Sequence, residues 1–511
     1  MAQHKASLSI MSGDRVHGSL NFARASIATR VNKVGNVEQV ASGTIRFDHY
    51  SEAANIGINK GYLFEESSQN VCLQSEVFGT TWTTTAATLT NIGSVASNDT
   101  SLLDPSGGNT SDKLTAGSSA TGIAAVRQTG FTFTNSQKYT VSVWAKANGH
   151  GHLEISNSDD TGSNMTFAQC FNLSTGATGA SGGTVAASGM EEFAGSWYRC
   201  WVTFTGNSSN GEIYFKTRPN NAVSTAVAMT SGNGCNLWGA QIENKAYRTS
   251  YIPTTTAAVT RAADVATVSD TDEMWNWDAG ITLVADYIPL NVSETVSPIY
   301  HYQDSGNNNY ITLLSDGDIK VFTGGSSQLS SASFDTGMAA VSGTHYRSAT
   351  TVASNHCHYA RNGVLSSNLP DTSITVPAKT GSSNYAIKFM HGTGHNSGSG
   401  WIKTFRIYSH KMTNIDMQNH SIASGTDASV LAIGTDGTVA DSSITAAKLD
   451  TDSVTTNKIA DDAVTLAKLS ATGTADSTTF LRGDGTWSSF SSQETDPTAT
   501  SKAIPMALAL A

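Results

Sequence analysis

From Val439 to Leu469 an apolar residue returns at every fifth position: Val439, Ile444, Leu449, Val454, Ile459, Val464 and Leu469. Within that register a ten-residue unit is written three times, starting at Ser443, Ser453 and Ala463. A period of five fits neither the ~3.6 of a globular helix, nor the ~3.5 of a left-handed coiled coil, nor the alternation of a strand. One apolar residue in five cannot let a single chain bury its own surface, so copies of the segment must bury it against each other about a common axis. Residues 424–490 therefore read as a slender oligomeric stem with those seven residues on its axis. The period sets self-association and leaves the number of copies open.

The rest of the chain has the composition of loop-rich β folds: only 14% of it is charged, Gly numbers 46, and Ser, Thr and Ala crowd most windows. A net charge of -11 with no basic run removes the source of phosphate binding and also disfavours anionic lipid, so neither nucleic acid nor a membrane is expected as partner. The cysteines Cys72, Cys170, Cys200, Cys235 and Cys357 are odd in number and lack a Cys-x-x-Cys pair, which suits small apolar residues in a reducing compartment. Residues 1–10 carry one lysine and no apolar run of signal-peptide length, and no stretch approaches the span of a bilayer.

Punctuation divides the chain into an N-terminal segment (1–70), a first β-sandwich (71–255), a second (256–423), the stem (424–490) and a tail (491–511). The expected fold is mainly β, with two tandem jelly-roll sandwiches ahead of the stem. Strands of the first sandwich are expected at Lys138–Lys146, Trp197–Thr205, Glu212–Lys216 and Asn236–Glu243. In the second they are expected at Ile281–Tyr287, Asn309–Leu314, Ile319–Phe322 and Gly400–Tyr408, with Asn362-Gly363 as a hairpin turn.

Alternation puts Tyr139, Val141, Val143 and Ala145 on one face of the first strand and Trp144 and Lys146 on the other. Tyr198, Cys200, Val202 and Phe204 likewise oppose Arg199 and Trp201, while Tyr214 and Lys216 share a face. Flat rings interspersed with cations are what a sugar-binding platform needs, since rings stack on the apolar faces of pyranoses and cations reach hydroxyls or acidic groups. The same rings equally suit packing under a loop, under the N-terminal segment or against another subunit. A second candidate lies in the Gly/Ser loop Met390–Trp401, where His391, His395 and Trp401 offer donors and a stacking surface, near Tyr300, His301, Tyr302 and Asp304. That loop also reads as merely solvent-exposed.

No cofactor or metal is assigned. His356 and His358 share a strand face and suit one metal, or simply a partly exposed strand. Paired acids for glycoside hydrolysis are limited to the sequence neighbours Glu65-Glu66, Asp159-Asp160 and Glu191-Glu192, and no nucleophile elbow, phosphate loop or His-Glu-x-x-His occurs, so no catalytic residue is assigned and no enzyme is expected.

The run from Ala447 through Leu469-Ser-Ala-Thr-Gly-Thr to Thr479-Phe-Leu-Arg-Gly-Asp-Gly-Thr-Trp487 resembles bacteriophage virion fibre proteins. Arg482-Gly483-Asp484 within it is first of all a turn signal. Phe22–Arg30, Val37–Val40, Ile45–His49 and Gly61–Glu66 resemble an N-terminal module of phage structural proteins. Trp238–Glu243, Thr249–Thr254 and Val259–Asp264 resemble the phage version of a carbohydrate-binding jelly roll. The 256–423 region is similar to concanavalin A-like, laminin-G-type sandwiches, in which a short helix, here Met412–Gln418, follows the last strand. The resemblance implies a homotrimer assembled in the host cytoplasm and carried on the virion. It also implies other virion proteins and host surface polysaccharide as partners, with host adsorption through receptor binding. A capsid decoration or collar fibre whose sandwiches pack on other virion proteins is the alternative. The apolar end Ala503–Ala511 is expected to dock into a partner or cap the trimer.

Overall fold

In the strand Lys138–Asn148 the residues Tyr139, Val141, Val143 and Ala145 all enter one core, as the alternation requires. Cys200, Val202 and Phe204 of Trp197–Thr205 join them, and Tyr198 packs at the edge. These strands are seen in a computed structural model that describes residues 8–12, 15–16, 18–84, 93–96, 99–117, 121–160, 165–208, 211–269, 279–292, 298–303, 310–315, 317–323, 326–327, 338–367, 374, 386–391, 398–422, 479–481 and 486–489. The chain divides into two units, Met1–Ala423 and Ser424–Ala511.

The first sandwich has two antiparallel sheets. One runs, in spatial order, Val185–Phe193, Trp197–Thr205, Lys138–Asn148, Gly234–Glu243, Asp112–Ala116 and Gly93–Ala96; the other runs Ala125–Thr129, Glu212–Arg218, His152–Ser156, Phe167–Asn172 and Ala177–Gly183. Their inner faces share a core that includes Val141, Val202 and Ile242 from the first sheet and Ile155, Phe171 and Phe215 from the second. Fully burying a side chain of this kind contributes roughly 1.5–3 kcal/mol. Cys72, Cys200 and Cys235 lie in this core and Cys357 in the next, each a free buried thiol, as is Cys170.

The second sandwich departs from the expected boundaries. Residues 1–70 do not form a unit of their own. Leu8–Ser12 pairs with Gly400–Tyr408, Leu20–Ala23 pairs with Val265–Ser269, and Asn59–Phe64 pairs with the start of Gly400–Tyr408. Both sheets of the second sandwich thus take strands from the N-terminal segment. Ile10, Met11, Tyr62 and Phe64 share its core with Leu283, Tyr300, Ile387, Phe389, Phe405 and Ile407. The first sandwich is an insertion between two strands of the second, so the divisions at 70 and 255 are punctuation in sequence but not in the folded core.

Local signals hold well here. Asn362 and Gly363 have φ of 50° and 80° and join His356–Arg361 to Val364–Leu365, the two left-handed residues that a tight hairpin turn demands. The expected short helix forms at Asn414–His420, two residues later than expected, because Thr413 is the N-cap and its hydroxyl accepts from the Asp416 backbone N–H. In the second unit a hairpin pairs Thr479–Leu481 with Trp487–Ser489. The axis residues Val439, Ile444, Leu449, Val454, Ile459, Val464 and Leu469, and the tail 491–511, lie outside the described residues.

Candidate functional site

The position of Trp144 is set by a β-bulge. Ser142 pairs with Gln241 and Trp144 with Trp238, so Val143 faces two residues, Gly239 and Ala240, of the neighbouring strand. Gly239 takes φ +66°, and a Cβ there would stand 2.8 Å from the Trp144 ring. The bulge therefore brings Trp144 and Trp238 edge to face, 5.3 Å apart, where Tyr251 and Phe193 also meet Trp144. Val37, from the hairpin formed by Ala28–Val31 and Val37–Val40, closes the cluster.

This corrects the expected open platform. Trp144 is 1% exposed and Arg199 5%. The outer face of the six-stranded sheet packs under the N-terminal hairpin, the alternative that the sequence left open. Burial of so much apolar ring area outweighs leaving it to solvent. The ring faces are also engaged by cations: the Arg199 guanidinium lies 4.5 Å from the Trp144 centroid and Lys60 Nζ lies 4.0 Å from that of Trp401. Tyr214 and Lys216 belong to the other sheet and meet neither tryptophan. Tyr214, 2% exposed, donates to Glu212 at 2.7 Å and accepts from Arg127 at 3.0 Å. Lys216 and Arg218 are buried against Glu154 and Asp160 in a network of two cations and two carboxylates. Lys146 stays half-buried, and Trp201 is half-buried with Arg248 5.8 Å from its ring.

The loop candidate also changes. Trp401 is buried, and its indole N–H donates to Asp48 at 2.7 Å. His391 is half-buried with its pKa lowered by burial and then by Lys388; His395 and Asp304 lie outside the described residues. Tyr300, His301 and Tyr302 are wholly buried, as strand residues of the second sandwich rather than rims of a loop. The His356 and His358 rings lie 3.7 Å apart between centroids with their planes tilted by 38°, and His358 Nδ1 is 2.7 Å from Asn414 Oδ1 in the helix that covers them. Among the described residues no group of three or more metal-ligating side chains forms.

Three of the expected site residues nevertheless converge. Trp144, Arg199 and Trp401, from strands far apart in sequence, line one cavity of about 50 Å³ at the junction of the first sandwich, the N-terminal hairpin and the second sandwich. Arg30, Glu191 and Arg248, whose side chains keep 29%, 21% and 17% exposure, form its solvent side. Asp48 and Glu65 complete the polar lining. Burial pushes the Asp48 carboxyl up to about 6, against Lys60 and the Trp401 N–H. Burial would raise Glu191 as well, but Arg248, Lys60 and Arg199 hold it at about 2. Burial, then the neighbouring Arg248, lowers Arg199 to about 10. Arg199 Nη2 donates to Ser142 Oγ at 3.1 Å, and among the described residues no carboxylate lies within 4.0 Å of its guanidinium.

Beside the cavity lies a buried ion network that sequence reasoning missed. Arg24 binds Asp264 at 3.0 Å, Arg46 binds Glu65 at 2.8 Å and also Asp264, and Arg261 stands 3.5 Å from Glu65. Ser250 donates to Glu65 through its N–H at 2.7 Å and its hydroxyl at 2.6 Å. Each member sits in one of the strings that resemble phage modules: Phe22–Arg30, Ile45–His49, Gly61–Glu66, Thr249–Thr254 and Val259–Asp264. The signal was charge recurring inside otherwise apolar strings, which places a cation or carboxylate where it must be paired.

No protein-family model and no curated protein matches the chain. Among solved structures it is similar to domain 4 of AbnA, a GH43 extracellular arabinanase from Geobacillus stearothermophilus, in complex with arabinotriose. The identity is 15%, over 35% of this chain and 83% of that one, with a TM-score of 0.25. It is also similar to Trypanosoma rangeli sialidase in complex with sialic acid, at 11% identity over 61% of this chain and 59% of that one, TM-score 0.22. With the inhibitor DANA the same sialidase gives 10%, 62%, 66% and 0.23. At these scores the likenesses bear on neither fold nor function.

Proposed function

We propose that this chain is a homotrimeric bacteriophage fibre subunit that contacts host-surface glycans, and that the contact is the junction cavity rather than an open aromatic platform. The observation that carries this reading is the convergence of Trp144, Arg199 and Trp401 on one cavity with a solvent side. Cations and donors at the junction of two sandwiches are suited to polar groups projecting from a polysaccharide. A single site of this size binds weakly, and a stem that gathers copies offsets that by raising the effective concentration of each later contact. The test is retention of the full-length oligomer on extracted surface polysaccharides, comparing the native chain with an Arg30→Ala, Arg248→Ala double variant. Loss of binding by tenfold or more is expected; retention unchanged in the variant would remove the cavity as the contact.

The second reading is a structural role on the virion, as a capsid decoration or collar fibre. It is favoured by the burial of the aromatic rings and by the cations already seated over Trp144 and Trp401. Labelled protein mapping to the head lattice in electron micrographs of particles would decide for it.

A further inference from the structure

Thr29, Val37 and Tyr251, which line the junction cavity, also line a second and larger one, of about 180 Å³ against about 50 Å³. Val37, Trp238 and Tyr251 are buried and form its floor. Gln39 and Ser106 are exposed, and Glu38 and Glu76 half-buried, so the polar groups stand towards solvent. The lining carries two carboxylates and, among the described residues, no cation.

The two carboxylates differ. Glu38 is neutralised: Oε1 accepts from Arg30 at 2.6 Å and Oε2 from Asn32 at 2.9 Å. The Glu76 side chain accepts at Oε1, from the Tyr251 hydroxyl at 2.9 Å. Its Oε2 has no donor among the described residues, yet that oxygen is not sealed from water. Among the described residues no cation lies within 4.0 Å of Glu76, and the charged group acting on it is Asp104, another carboxylate. Asp104 accepts from the N–H groups of Ser106, Gly108 and Thr110, which hold the loop that presents Ser106. The cavity therefore has an open acceptor with negative charge and no counter-charge of its own.

We propose that this cavity binds an amino sugar, with the protonated amine on Glu76 and ring hydroxyls on Gln39, Ser106 and Glu38. The site does not rest on the junction contact, because none of these four side chains lines the junction cavity. A hydroxyl would give Glu76 Oε2 a donor but no charge. An ammonium gives both, and its bond to a carboxylate is roughly twice as strong as a neutral one. The space suits a ring, since a sealed cavity of about 150 Å³ accepts benzene. Here hydroxyls are free to project past Gln39 and Ser106 into solvent. The net charge of -11 raises the local concentration of cations and so acts together with Glu76.

The test is a ligand-observed NMR titration of the full chain at about pH 6.5, where an amine is protonated. The probes are glucosamine, glucose, N-acetylglucosamine and methylammonium chloride at matched ionic strength. Glucosamine is expected to bind about tenfold or more tightly than the other three. Glu76→Gln keeps an acceptor for the Tyr251 hydroxyl and should bring glucosamine down to the level of glucose, with the near-ultraviolet circular dichroism unchanged. Gln39→Ala, on the exposed rim, should weaken glucosamine severalfold and serves if Glu76→Gln does not fold. Glucose or N-acetylglucosamine binding as tightly as glucosamine would overturn the proposal, as would full glucosamine binding by Glu76→Gln. Methylammonium as effective as glucosamine would overturn the assignment to a sugar. Displacement of glucosamine by calcium chloride at a lower concentration than its own would reassign the cavity to a metal ion and likewise overturn it.

Discussion

Arg199 lies over the face of Trp144, 4.5 Å from the ring centroid, and both side chains are withdrawn from water. Strand alternation put these two residues on the outer face of a sheet, and the N-terminal hairpin then covered that face. The pair is consequently part of a junction, and its replacement should report on stability first. Trp144→Ala is expected to cost about 3–5 kcal/mol in denaturant unfolding, because Phe193, Trp238 and Tyr251 all lose a ring partner. Trp201→Ala, at a half-buried position, should cost about 1 kcal/mol. Equal costs would contradict the placement of Trp144.

The bulge at Gly239 makes its own prediction. With φ at +66° and the Trp144 ring 2.8 Å from any added Cβ, Gly239→Ala is strained in backbone and in space together. A loss of roughly 1–3 kcal/mol is expected from the backbone alone. The near-ultraviolet circular dichroism of the tryptophan cluster should change with it; an unchanged spectrum would mean that the bulge does not set the ring pair.

Two carboxyls at the junction pull stability in opposite directions with pH. Asp48 is raised from 3.8 to about 6, chiefly by burial, so its folded pKa exceeds its unfolded one. Its contribution is fully present below pH 3.8 and is lost as pH rises through about 6. Glu65 is the reverse: burial would raise it, but Arg261, Arg46 and Ser250 hold it at about 2, so its contribution is present above pH 4.5 and lost as pH falls toward 2. Each amounts to about 3 kcal/mol at most. Asp48→Asn should therefore flatten the decline in unfolding free energy between pH 4 and 6, and leave the acid limb. A decline of the same slope in that variant would remove Asp48 as its source.

The fold predicts which fragments stand alone. Residues 71–255 hold both sheets of the first sandwich, whereas 256–423 lacks the strands Leu8–Ser12, Leu20–Ala23 and Asn59–Phe64 that complete the second. The 71–255 fragment should fold with a cooperative thermal transition, and 256–423 should be insoluble or lack one, because the removed strands leave sheet edges and the cavities of Ile10, Tyr62 and Phe64. A cooperative transition from 256–423 alone would contradict the shared core.

Period-two patterning made the strands legible: Trp197–Thr205 and Gly400–Tyr408 form with the expected bounds, and the core faces of Lys138–Asn148 and Trp197–Thr205 are as read. Alternation names two faces, however, and does not say what lies against the outer one. That is why Trp144, Arg199 and Trp401 were legible as a group of interest while their burial was not. Long-range pairing was hidden for the same reason, since nothing local in Leu8–Ser12 states that its partner is Gly400–Tyr408, almost the length of the unit away. Arg46, Glu65 and Asp264 were written in strings read for their resemblance, and their meeting in one network depends on that distant pairing.

The proposed adsorption depends on a weak glycan contact made effective by a stem that gathers copies. The most direct measurement compares retention of the full-length chain and of residues 1–423 on a surface bearing host polysaccharide, at equal subunit concentration. The full-length chain is expected to be held about 10²–10⁴-fold more tightly, with the shorter chain still showing measurable single-site binding. Equal retention of the two, or no retention of either, would contradict it.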